Sequence, residues 1–128
     1  MIAKRSAEAP VTLLFMGPSP TFSGTLVTTG DRTWAVPYPV RDVRRIGDRI
    51  VVIYDYTSGP QHAAFRNVEA FNDVGEKLWT AENPAPGDAA DAYVEFMSEV
   101  PLVLWNFACF RCTIDPATGK LLRAEFSK

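Results

Sequence analysis

Gly30, Gly75 and Gly119 stand 45 and 44 residues apart, each in a short polar turn between apolar runs, and this recurrence limits what the chain can become. The three stretches are "LVTTGDRTWAV" (Leu26 to Val36), "AFNDVGEKLWTAE" (Ala70 to Glu82) and "IDPATGKLLRAE" (Ile114 to Glu125). Four residues after each glycine come Trp34, Trp79 and then Arg123. The chemistry of the third turn is explicit. Asp115 can fold its carboxylate onto backbone N–H groups ahead of it, Pro116 presets φ, and Gly119 tolerates positive φ. A period of this length is what four short antiparallel strands with their turns need.

The runs between the turns have strand grammar. "VTLLF", "GTLVTT", "RIVVIYDY", "NVEAF", "LVLWNFACF" and "LLRAEF" are short, β-branched or aromatic, and bounded by Gly, Pro, Asp and Asn. In "RIVVIYDY", Val51, Ile53 and Asp55 face one way and Val52, Tyr54 and Tyr56 the other, so a strand apolar on both faces is predicted to be central. Gly47-Asp48 fits a Gly-first hairpin that pairs "VRDVRRI" with it. Over residues 88–98 a short helix competes with a strand, because Ala89, Tyr93, Phe96, Met97 and Val100 recur at helical spacing behind Asp88, a candidate N-cap. Residues 1–10 have no apolar face and are expected to be a frayed terminus, with 11–128 forming one β domain.

"A-F-N-D-V-G-E-K-L-W" and "I-D-P-A-T-G-K" resemble the end of a quinoprotein-type (PQQ-like) β-propeller repeat, whose signature is roughly A-x-D-x-x-T-G-K-x-x-W. Ala70, Gly75 and Trp79 match it in the second copy; Asp115, Thr118, Gly119 and Lys120 match it in the third. The second copy is one residue short between Ala70 and Gly75, Val74 and Glu76 replace Thr and Lys, and Arg123 replaces the tryptophan. The resemblance implies a structural role: the glycine makes the turn and the tryptophan packs between adjacent blades. Three units cannot close a ring that ordinarily takes four to eight blades. The expected fold is therefore all-β, with antiparallel blade-like meanders forming a small barrel, sandwich or incomplete propeller. Chains completing one another, or a piece of a longer protein, are the alternatives.

Charge and hydropathy narrow the partners. A formal net charge of −2 leaves no electrostatic footprint for nucleic acid, and no apolar run approaches a membrane span. A cytoplasmic location is expected.

Candidate chemistry is sparse. Cys109 and Cys112 lack the helical context of a redox pair, and with His62 they fall short of four zinc ligands. One cysteine is expected to pack as a small hydrophobe and the other to be partly exposed. His62 has Asp55 and Ser58 nearby in sequence, but at no recognisable catalytic spacing. Glu82, Glu95, Glu99 and Glu125 converge only if the fold brings them together. No catalytic residue, metal or cofactor is assigned. "RDVRRIGDR" concentrates Arg41, Arg44, Arg45 and Arg49, which reads as an anion or acidic-partner site or as a solvated hairpin face. "TWAVPYPV" holds Trp34 and Tyr38 between prolines, able to present an aromatic ring rigidly or to pack it across a sheet.

The reading that follows is a non-catalytic interaction protein, binding another protein or a second copy of itself through an open sheet edge or an aromatic patch. Trp34, Tyr38, Arg41, Arg44 and Arg45 are its candidate contact residues. The alternative is a small β-barrel enzyme or ligand carrier using His62 and nearby carboxylates.

Overall fold

A computed structural model describes residues 17–59, 65–84 and 91–126. The expected frayed segment, His62 and the Asp88 cap lie outside these residues. The described chain forms eleven strands and no helix. They are β1 (Thr21–Ser23), β2 (Leu26–Thr29), β3 (Arg32–Ala35), β4 (Val40–Ile46), β5 (Arg49–Tyr54) and β6 (Val68–Phe71), followed by β7 (Lys77–Thr80), β8 (Tyr93–Ser98), β9 (Val103–Asn106), β10 (Phe110–Ile114) and β11 (Leu121–Phe126).

The strands form three consecutive antiparallel meanders, β1-β2-β3, β4-β5-β6-β7 and β8-β9-β10-β11. Gly30, Gly75 and Gly119 sit in the turns before β3, β7 and β11, the last strand of each sheet. The periodic glycines therefore mark equivalent corners. Gly75 and Gly119 adopt φ of 86° and 78°, a region that costs an L-side chain free energy.

Two apolar cores explain the stacking. Val27 and Val36 of the first meander pack with Val43, Ile50, Val52 and Tyr54 of the second. Val51, Ile53, Val68 and Ala70, from the opposite face of the second, pack with Tyr93, Leu104, Cys112 and Ile114 of the third. The middle sheet is thus buried on both faces, and β5 alternates its residues between the two cores, as its sequence predicts. The Gly47-Asp48 hairpin also forms, with Ile46 opposite Arg49.

Polar stitches supplement the cores. Fully buried Asn67 donates from Nδ2 to the carbonyls of Tyr54 and Tyr93 and accepts the Tyr93 N–H at Oδ1. One side chain thereby satisfies backbone groups of two sheets, which burial requires. Between the first two sheets Arg45, with a side chain 8% exposed, donates to Pro18 O, Thr29 Oγ1 and the Asp73 carboxylate.

The helix expected near residues 88–98 is not present where the chain is described: Tyr93–Ser98 is a strand. Its pairing with β9 shifts register between Tyr93 and Glu95 and again between Phe96 and Ser98. A bulge lets residues three apart face the same side. Tyr93 and Phe96 consequently share one core, and the bulge mimics helical spacing.

Candidate functional site

The contact between meanders repeats. Trp34 on β3 lies against Gly75, where an added Cβ would meet its ring carbons at 2.9 Å. Trp79 on β7 lies against Gly119 in the same way, with Cε3 at 2.6 Å. Each indole covers the turn glycine of the following sheet. At the ends of the array the pattern stops. Gly30 meets only Pro18 Cγ, at 3.4 Å, and Arg123, at the position of the indole on β11, is 68% exposed on the face turned away from the second sheet.

The residues singled out in the sequence are drawn into these junctions. Tyr38 packs edge-on between Phe65 and Tyr54, with centroids 4.8 and 5.6 Å away, and Trp34 lies 5.9 Å from Phe71. Arg41 donates Nε to the Val94 carbonyl at 2.6 Å and covers the Tyr56 ring. Arg44 pairs with Glu99 and Asp42 and lies over Phe96. Burial pulls its pKa down, but the bonds to Glu99 and Asp42 outweigh this and hold it raised. Trp34, Tyr38 and Arg45 lie at the first junction and Arg41 and Arg44 at the second, so the five do not form one surface.

The cysteines divide as expected: Cys112 is fully buried on β10, while Cys109 is half-buried in the turn before it, at φ 73°. The glutamates do not converge. Glu82 caps the Leu121 N–H, Glu99 holds Arg44 and Glu125 holds Arg123. Among the described residues no three His, Cys, Asp or Glu side chains could hold a metal ion, and no helix is long and apolar enough to cross a membrane.

What the fold does create is a groove of about 330 Å³ at the turn end of the second and third sheets. The β4–β5 hairpin supplies Ile46 and Arg49, the β8–β9 turn supplies Val100 and Leu102, and the β10–β11 side supplies Ile114 and Leu122. Val100 is 88% exposed and Leu122 62%. Leu122 is the extra residue of a bulge, since Thr113 pairs with Arg123 and Ile114 with Leu121. The bulge turns an apolar side chain out of the ladder and makes it a wall. The polar lining is Asp48, Arg49, Glu99 and Thr113. Arg49 gives Nη1 to Asp48 at 2.8 Å, and its Nε is covered without an acceptor. Sequence reasoning singled out Arg49 and Glu99 but missed the site, because its walls are hairpin ends that only the stacking brings together.

A family model matches residues 18–126, the three meanders together. The chain belongs to the family described as a domain of unknown function, DUF7957. No curated protein and no solved structure matches it. The DUF7957 match starts at Pro18, which packs on Gly30, and ends with Phe126, the last residue of β11.

Proposed function

We propose that this chain is a non-catalytic binding module: three blade-like repeats of the quinoprotein-propeller type, stacked in an open array, receiving an apolar guest in the groove between the second and third. The repeat reading is supported by the duplicated indole-on-glycine contact, Trp34 on Gly75 and Trp79 on Gly119. The first and third sheets carry polar pairs on the faces turned away from the second: Thr28 bonds Thr33 across the first sheet, and Arg123 and Glu125 pair along β11.

The groove carries the functional reading. Exposed Val100 and Leu122 flank a concave wall of buried Ile46, Leu102 and Ile114, and a patch of this kind in a concavity marks a binding site. The open edge of β11 is a weaker candidate, because its bulge and its Arg123–Glu125 pair discourage strand addition. The test is methyl NMR on the full chain titrated with 1-decanol. Saturable shifts confined to Ile46, Val100, Leu102, Ile114 and Leu122, abolished by Leu122→Glu, are expected. No saturable shift at these methyls in the unsubstituted chain refutes the reading.

A further inference from the structure

We propose that the guest is a medium-chain aliphatic monocarboxylate, with its chain along Ile46, Leu102, Ile114 and Leu122 and its carboxylate on the guanidinium of Arg49. The inference rests on the groove being the binding site and names what occupies it.

The polar groups of the lining are almost all spoken for. Glu99 is held by Arg44 at 3.0 Å, and Asp48 takes Nη1 of Arg49 at 2.8 Å, so each carboxylate already faces a guanidinium. A cationic guest would have to share each carboxylate with the arginine already on it. Arg49 differs, because its Nε–Nη2 edge makes no hydrogen bond and Nε is covered by protein. A buried N–H without an acceptor is unfavourable. A small outward swing of the guanidinium presents that edge to the groove, where a carboxylate can take two parallel N–H···O bonds. Arg49 would then bridge Asp48 and the guest, one on each edge of its plane.

The wall also selects against a peptide. Apart from the charged groups, Thr113 alone offers a side-chain hydroxyl, so an amide backbone laid in the groove would find few side-chain partners. An unfunctionalised hydrocarbon chain has no such requirement. The volume of about 330 Å³ lies at the small end of the range for small-molecule sites.

The experiment compares decanoate with 1-decanol, both below the concentration at which they aggregate, by calorimetry and methyl NMR on the full chain and on its Arg49→Gln and Arg49→Lys variants. Decanoate is expected to bind about tenfold tighter than the alcohol, the gain of a charge-assisted bond. Arg49→Gln should remove that preference, weakening decanoate about tenfold more than it weakens the alcohol, while Arg49→Lys, a cation without the fork, should keep part of it. Equal affinity for acid and alcohol in the unsubstituted chain, or a preference that survives Arg49→Gln, overturns the carboxylate assignment and leaves the groove as a site for neutral guests. Binding of neither compound overturns the assignment together with the reading beneath it. Should Arg49→Gln not fold, the acid-to-alcohol ratio in the unsubstituted chain decides the matter.

Discussion

The indole of Trp79 occupies the space that a side chain on Gly119 would need: a β-carbon there would fall 2.6 Å from Cε3, 2.7 Å from Cδ2 and 3.1 Å from the Thr80 carbonyl oxygen. Absence of a side chain is therefore a packing requirement of the junction as well as a conformational one. Gly119→Ala must adopt a φ of 78° and also displace the ring, and is expected to destabilise the protein by about 2–4 kcal/mol. Gly30→Ala is the internal control. Its φ is 60°, but its nearest neighbour is Pro18 at 3.4 Å, so only the conformational penalty of roughly 1–2 kcal/mol applies. Urea unfolding of both variants checks this, and equal losses would mean that the indole contributes nothing at the corner.

The two junctions differ in one hydrogen bond. Trp79 Nε1 donates to the Pro116 carbonyl at 2.9 Å, whereas Trp34 Nε1 is buried without an acceptor. The turn lengths account for it. Gly119 closes its turn on Asp115, four residues back, but Gly75 closes on Asn72, three back, and the residue corresponding to the acceptor is missing. Trp79→Phe should thus cost about 1 kcal/mol more than Trp34→Phe, because it strands a carbonyl while the other removes an unpaired donor. Thermal unfolding of the pair decides it; a larger loss at Trp34 would contradict the assignment.

Arg45 holds the first sheet to the second. Arg45→Met keeps the stem but deletes the donors serving Thr29 Oγ1, Pro18 O and Asp73. Asp73 is 55% exposed and rehydrates, so the expected loss is about 2–3 kcal/mol, below that for breaking a fully buried pair. Arg44→Met, whose ion pairs are exposed, should lose roughly 1 kcal/mol or less. Denaturant midpoints at constant m-value separate the two, and similar losses would mean that Arg45 is an ordinary surface cation.

These contrasts show which features one sequence carries. The corners at Gly30, Gly75 and Gly119 and the two-faced strand Arg49–Tyr54 are legible because turn chemistry and alternation are local. The fate of the arginines is not. Arg41 meets Val94 and Arg44 meets Glu99, 53 and 55 residues away, through stacking that no local pattern encodes. Strand β8 misleads for a related reason, since bulges that depend on its partner give Tyr93 and Phe96 a helical interval. The groove is hidden most completely. Val100 and Leu122 look like unremarkable apolar residues until two hairpin ends are laid together.

Alkaline pH probes the core shared by the second and third sheets. Burial is the main cause that raises the Cys112 thiol from about 9 to about 11, with Asp91 adding to it and the Tyr93 hydrogen bond opposing. Burial likewise pushes Tyr93 and Tyr54 up, assisted by Cys112 at the first and by Glu69 at the second. In each case the unfolded chain ionises first and binds fewer protons than the folded one, so stability falls as pH rises. For Cys112 the contribution is whole below about pH 9 and is lost as pH climbs through about 11, at up to roughly 1.4 kcal/mol per pH unit. Cys112→Val keeps an apolar group of similar size and removes the titration. Its stability between pH 9 and 10, measured by urea unfolding, should decline less steeply than that of the unsubstituted chain, before the tyrosines dominate both. Parallel declines would show that the thiol ionises as readily in the folded protein as in the unfolded chain.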